Sequence, residues 1–112
     1  MYATFYDAIS FTGDGVSNWD TSSVTIMSQT FYGTPFNTDL SKWNTSSVTT
    51  LGATFSKAKK FIGQGLIQWD TRNVEDLSYA FWDATSFTGD VISSWNVEKV
   101  TSLAVSYTHL TL

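Results

Sequence analysis

The stretch that decides the fold is WDTSSVTIMSQTFYGTPFNTDLSKW, residues 19–43, which runs from one tryptophan to the next. The same pattern returns in WNTSSVTTLGATF (43–55) and in WDTRNVEDLSYAFWDATSF (69–87). The tryptophans that open the copies are separated by 24, 26 and 26 residues; they are Trp19, Trp43, Trp69 and Trp95. Fixed periods of this length are typical of repeat proteins, so we interpret the chain as about four copies of a unit of roughly 25 residues.

Apolar residues recur at fixed offsets from each tryptophan, and all eight Phe fall on shared positions. One unit has too few large apolar side chains to offset the ordering of its backbone, so we expect neighbouring units to stabilise one another. The predicted inner positions are Val24, Val48, Val74 and Val100; Met27, Leu51, Leu77 and Leu103; and Phe5, Phe31, Phe55 and Phe81.

Two kinds of local pattern alternate within the unit. Val24, Met27 and Phe31 are spaced i, i+3, i+7, which is the spacing of one face of a short helix. The stretch FTGDGVSNW (11–19) opens with a Gly-Asp turn signal and ends in a short run that we interpret as a strand. The predicted fold class is therefore α/β, a repeat solenoid of about four coils of roughly 25 residues, each with one short strand and one short helix.

Composition excludes several classes of function. The 112 residues carry a net charge of −4 with only six Lys and Arg, so we expect no nucleic-acid binding. The chain has no Cys, which excludes disulfides and thiolate metal sites. No apolar run approaches the roughly 18 residues of a membrane span, so we expect no membrane insertion.

Two periodic columns allow a functional and a structural interpretation. The Trp column is either a stacking ladder for sugars or a set of rings that covers the edge of the core, and regular recurrence favours packing. The residues after these tryptophans either bind a cation or cap turns, as Asx side chains do by accepting from the backbone two residues on. Calcium takes six to eight oxygen ligands, so one side chain per unit favours the turn. These residues are Asp20, Asn44, Asp70 and Asn96.

The candidate contact surface is the column that follows the first Phe of each unit, which holds Tyr6, Tyr32, Ser56 and Trp82. Exposed aromatic side chains mark contact surfaces, although lateral packing between neighbouring helices is the alternative. Ser56 interrupts the column, so we expect contact to divide between its two ends. Asp7 and Asp83 flank it, which favours a neutral or basic partner over an anionic one.

No set of residues has the pattern of a catalytic, cofactor or metal site. The only His is His109, near the end of the chain, and no Ser–His–Asp set, phosphate-binding loop or metal cluster can be composed from the remaining residues. We therefore predict a protein that is not an enzyme, with no cofactor.

With these columns placed, the sequence resembles the BspA-like leucine-rich-repeat surface proteins, and within them the branch built from WDTSSVT…M…MF units. The resemblance covers residues 1–104 and implies a right-handed α/β solenoid. It also implies secreted or envelope-anchored proteins of bacteria and some microbial eukaryotes, with roles in adhesion. The family offers no catalytic residues to carry over.

The last residues depart from the repeat. VSYTHLTL (105–112) resembles the translated adapter sequence seen in some environmental sequencing reads, so we expect native sequence to stop near Ala104. Residues 1–104 are predicted to be one repeat domain, and residues 105–112 an atypical tail. Met1 occupies an internal position of the repeat, so we expect a longer array in which neighbouring repeats of the parent chain are partners.

Two hypotheses of function follow. In the first, the chain is a non-enzymatic module, extracellular or on the cell envelope, that presents its surface to a protein or glycan. In the second, it is a structural spacer whose length is its role, and other domains of the parent protein bind the partner.

Overall fold

The computed structural model describes residues 1–103, and the predicted tail, with His109, lies outside these residues. The regular elements are three short 3-10 helices, Val16–Asn18, Leu66–Gln68 and Gly89–Ile92. Isolated parallel bridges join Ile26 to Thr50, Thr50 to Asp76, and Asp76 to Ser102. Within residues 1–103 no helix has the length and apolarity needed to cross a membrane.

The prediction of an α/β solenoid, right-handed and with one strand and one helix per coil, is wrong. Residues 28–33, in the segment expected to form a helix, are consecutive turns, and the expected strands before the tryptophans are turns or 3-10 helices. The described residues contain no α-helix and no sheet. The chain is a compact globule with a Cα radius of gyration of 12.4 Å, close to the roughly 13 Å expected for a globular domain of about 100 residues.

Hydrogen bonding explains why the helix does not form. The amides of Met27, Gln29 and Phe31 donate to carbonyl oxygens of the following repeat, at 3.1, 2.9 and 2.9 Å. The amides of Thr30 and Tyr32 reach back only three residues, to the carbonyls of Met27 at 3.1 Å and Gln29 at 3.3 Å. The Thr30 hydroxyl also donates to the Met27 carbonyl, and such local bonds make Ser and Thr poor residues for a helix interior.

This alternation of bonds requires some residues to adopt the left-handed backbone conformation, with positive φ. Within this turn segment each repeat places two residues at positive φ, and only one of these eight is glycine, Gly33 at φ 70°. The others, with φ between 53° and 59°, are Ala3, Asp7, Gln29, Ala53, Lys57, Tyr79 and Asp83. Because side chains other than glycine rarely adopt this conformation, the contacts between repeats must hold it in place.

The core is a ladder of aromatic rings that runs from repeat to repeat. Phe31 lies 5.7 Å from Phe55, and Phe55 lies 5.5 Å from Phe81, with the ring planes within 12° of parallel. Within each repeat the second Phe stacks on the first, as Phe36 does on Phe31 at 4.2 Å. The predicted inner positions are confirmed by the complete or near-complete burial of Val48, Val74, Met27, Leu51, Leu77, Phe31, Phe55 and Phe81. At the ends of the described chain, Phe5, Val24 and Val100 are only partly buried and Leu103 is exposed.

Threonine hydroxyls bind consecutive repeats together. The Thr45 hydroxyl donates to the Asp70 carbonyl at 3.1 Å and accepts from the Asp70 amide at 3.0 Å. Thr21 makes the same pair of bonds to Asn44, and Thr71 makes it to Asn96. The repeated threonine is visible in the sequence, but no role was predicted for it.

Truncation of Phe55 to Ala should lower the free energy of unfolding by about 3–5 kcal/mol, because the ring is fully buried between two neighbouring repeats. Phe5→Ala should cost less, because Phe5 is only partly buried and contacts one neighbouring repeat. Denaturant melts of both variants measure the difference. Equal losses would contradict stabilisation by neighbouring repeats.

Replacement of Thr45 by the similarly shaped Val should cost about 1–3 kcal/mol, because the Asp70 amide and carbonyl both lose their partner. Thr85→Val makes the same chemical change on an exposed threonine and should change stability by no more than about 0.5 kcal/mol. The measurement is chemical denaturation at equal protein concentration. Equal effects of the two substitutions would show that the hydroxyl bridge contributes nothing.

Candidate functional site

The predicted contact residues occupy the same turn position in each repeat. The Tyr32 amide donates to the Gln29 carbonyl, and the Trp82 amide donates to that of Tyr79. Their carbonyls accept from the preceding repeat, as the Trp82 carbonyl does from the Lys57 amide at 2.7 Å. The backbone therefore fixes these side chains in one row, and we call Tyr6, Tyr32 and Trp82 the aromatic stripe.

The first two members of the stripe form a stacked pair. The Tyr6 and Tyr32 ring centroids are 4.5 Å apart with an interplanar angle of 9°. Partial desolvation raises the pKa of the Tyr6 phenol, and Tyr32 and the Asp7 carboxylate raise it further. Tyr6 nevertheless stays 47% exposed. The structure thus combines both expectations, since the rings pack laterally against each other and still present area to solvent.

Lys57 lies between the separated members of the stripe. Its Nζ is 5.7 Å from the Tyr32 ring centroid and 5.3 Å from the Trp82 ring centroid, within the range of a cation–π interaction. No role for this residue was predicted from the sequence. The available signal was its place directly after Ser56, where the aromatic column is interrupted.

The interruption creates a notch in the surface. A cavity of about 240 Å³ opens over the third repeat, where Ala53 and Ser56 are small. The neighbouring repeats carry larger residues at the same two positions, Gln29 and Tyr32 on one side and Tyr79 and Trp82 on the other. We call this cavity the notch, and its lining is Gln29, Tyr32, Ala53, Ser56, Tyr79 and Trp82.

Charges around the notch are balanced. Lys59 Nζ lies 3.6 Å from an Asp83 carboxylate oxygen, and the Lys57 ammonium lies between the rings of Tyr32 and Trp82. Asp83, one of the two acidic residues that flank the stripe, is therefore paired with a lysine, and Lys57 adds a second positive charge to the same surface. The resulting surface is mixed in charge rather than acidic.

The Trp column belongs to the core. Trp69 stacks between Trp43 and Trp95 at 6.3 and 6.2 Å, and all three rings are buried. Each ring nitrogen donates to a carbonyl of the preceding repeat, as Trp95 Nε1 does to Leu66 at 2.8 Å. The packing interpretation is confirmed for these three rings, whereas Trp19, in the first copy, is 43% exposed.

The Asp and Asn column caps turns, as predicted. Asp20 Oδ1 accepts from the Ser22 amide at 3.0 Å, and this bond and one from the Ser22 hydroxyl lower the pKa of Asp20. Arg72 lowers the pKa of Asp70 through both its side chain and its amide. Asn44 and Asn96 accept from the backbone two residues on in the same way. Over residues 1–103 no three His, Cys, Asp or Glu side chains form a group suited to a metal ion.

Comparison with known families gives one finding. Residues 1–111 match the family described as Mycoplasma protein of unknown function, DUF285. The match confirms the resemblance at the level of the BspA-like repeat-associated family. Comparison with curated proteins and comparison with solved structures each gave no match.

Two tryptophan substitutions separate the roles of the stripe and the core column. Trp95→Ala should cost about 3–5 kcal/mol, because it removes a buried ring that stacks on Trp69 and packs at a tilt against Phe81. Trp82→Ala should change stability by no more than about 1 kcal/mol, because its ring is only half-buried and its cation–π interaction with Lys57 contributes little at a partly exposed site. Thermal melts followed by circular dichroism measure both, and the reverse order would show that the two columns have exchanged roles.

Proposed function

The chain belongs to the DUF285 family, and from this premise we propose that it is a non-enzymatic contact module of a secreted or cell-surface protein. Membership of this family is consistent with a surface repeat protein. Within the family, the string WDTSSVT at residues 19–25 supports assignment to the branch built from such units. The proposed activity is adhesion to a protein or glycan partner through the aromatic stripe.

The observation that carries this proposal is the exposure of aromatic rings held in fixed register. Tyr6, Tyr32 and Trp82 are kept in one row by bonds between repeats, yet none of the three is buried. Rigid aromatic side chains lose little conformational entropy on binding and dominate the energetics of many interfaces. The Lys57 ammonium adds a hydrogen-bond donor to the same surface.

The spacer remains the second candidate, and one observation favours it. The Phe ladder, the buried Trp rings and the threonine bridges join each repeat to the next without any contribution from the stripe. A spacer requires repeats that are firmly joined to one another, and these contacts join them. The two functions differ in whether the exposed rings bind anything.

The proposal predicts binding that depends on the stripe. The labelled protein is titrated on arrays of immobilised extracellular-matrix proteins and glycans, and binding is compared with that of Trp82→Ala. The substitution should weaken binding about tenfold or more at unchanged stability, as expected for an aromatic anchor. Tyr2→Ala is the matched control, since it removes an exposed aromatic ring outside the stripe and should leave binding unchanged.

Absence of binding on every array, with a folded protein, would favour the spacer. Equal loss of binding in Trp82→Ala and Tyr2→Ala would contradict the assignment of the stripe as the contact surface.

A further inference from the structure

We infer that Asn44 is the attachment site of an N-linked glycan, transferred from a sugar that is activated at C1 by a phosphate leaving group. The proposed location outside the cell is a premise of this inference, because the Asn-X-Ser/Thr acceptor signal is used on surface loops of secreted proteins. Asn44 does not belong to the aromatic stripe, so the site is separate from the proposed contact surface.

The acceptor signal occurs once in the chain. It consists of Asn, any residue except Pro, and then Ser or Thr, and residues 44–46 read Asn-Thr-Ser. Each of the other Asn residues is followed two positions later by Asp or Glu; they are Asn18, Asn37, Asn73 and Asn96. A chain rich in Ser and Thr therefore offers a single acceptor.

The turn leaves the reacting nitrogen of Asn44 free. Asn44 is exposed, and its Oδ1 accepts from the Ser46 amide at 3.0 Å and from the Ser46 hydroxyl at 2.7 Å. Its Nδ2 donates to no atom of residues 1–103. An N-linked sugar replaces one hydrogen of Nδ2 and leaves the carbonyl oxygen as an acceptor. The glycan therefore extends into solvent while both bonds of the turn are kept.

Only the second repeat combines a side-chain amide with a hydroxyl in this column. Asp20 is followed by Ser22 but carries a carboxylate, which has no N–H to exchange for a sugar. Asp70 has neither group, since Arg72 stands two residues on. Asn96 has the amide, but an acidic residue stands where the hydroxyl is required. The same turn is thus built four times, and the acceptor chemistry is complete in one of them.

The following repeat holds the acceptor turn in place. Thr45 is buried, and its hydroxyl donates to the Asp70 carbonyl at 3.1 Å. The Asn73 Nδ2 donates to the Ser46 carbonyl at 2.8 Å, so the amide of Asn73 is engaged in packing. A sugar on Asn44 is therefore displayed from a fixed point of the surface.

The transfer is a substitution at the sugar. Nδ2 of Asn44 forms a bond to C1, and the bond from C1 to the phosphate oxygen breaks, with its electron pair leaving on the phosphate. Nδ2 gives up one of its two protons to a base of the transferase. The amide lone pair is delocalised into the carbonyl, so the reaction requires a glycosyltransferase and an activated donor. The donor is a lipid-linked sugar pyrophosphate or a nucleotide sugar, which share this leaving group.

The test has one arm for each donor. In the first, the chain is expressed behind a secretion leader in a eukaryotic host, whose secretory pathway uses a lipid-linked donor. In the second, the purified folded chain is incubated with a soluble Asn glycosyltransferase and UDP-glucose. Intact mass measures the glycan, and peptide mass spectrometry locates the residue that carries it. Asn44 should carry the glycan in at least one arm, and the successful arm identifies the donor.

Two variants should lose the glycan. Asn44→Asp removes Nδ2 and should keep the fold, because Asp forms the same turn at Asp20 and Asp70. Ser46→Ala keeps the Asn44 amide and removes only the hydroxyl of the acceptor signal. Circular dichroism of both variants checks that the fold is retained.

Glu98→Ser is the complementary gain. It completes the acceptor signal at Asn96, which is exposed and whose Oδ1 already accepts from the backbone two residues on. This variant should gain a second glycan, at Asn96, under the conditions that modify Asn44.

An unmodified Asn44 in both arms, with the chain folded, would overturn the inference, and so would a glycan that persists in Ser46→Ala. The contact function is tested separately, because the unglycosylated chain is the one titrated on the protein and glycan arrays. Array binding that depends on Trp82 would support the contact function even where Asn44 stays unmodified.

Discussion

Every second amide in the turn segment of a repeat donates to the following repeat, and the rest of the structure depends on this alternation. Met27, Gln29 and Phe31 show it in the second copy, while the amides of Thr30 and Tyr32 bond to carbonyls three residues earlier. These bonds hold neighbouring repeats at one offset, so that equivalent side chains meet. The Phe rings follow at 5.5–5.7 Å, and the core is therefore aromatic and continuous across the boundaries between repeats.

Because the repeats pack regularly, a residue that departs from the repeat pattern has a predictable effect on the surface. Where a column carries large residues in consecutive copies, as at Tyr6 and Tyr32, the side chains stack and cover one another. Where one copy carries a small residue, as at Ser56, the neighbouring rings become the walls of a cavity. Binding sites in a protein of this kind are expected where the repeat changes, because the invariant columns are consumed by packing, as the buried tryptophans are.

The two sets of aromatic residues, the Trp column and the aromatic stripe, differ in their position relative to the turn segment. Trp69 and its neighbours in the Trp column place their ring nitrogens on backbone carbonyls and lose their contact with solvent. Trp82 lies on the outer side of the turns, where Lys57 reaches its ring, and keeps part of its surface exposed. An aromatic residue in this chain is thus structural or available for contact according to which side of the turn segment carries it.

The sequence by itself determined the repeat, the buried Phe, Met and Leu columns and the Asx turns. Apolar periodicity reports which side chains face inward, and an Asx turn needs only residues two apart. The sequence did not determine the secondary structure, because a spacing such as that of Val24, Met27 and Phe31 fits a helix as well as consecutive turns. The neighbouring repeat decides between them by accepting alternate amides. Among the positive-φ positions of the turn segments, only Gly33 is a residue type that indicates this conformation in the sequence. The notch and the position of Lys57 arise where three repeats meet, so only the tertiary structure decided these two features.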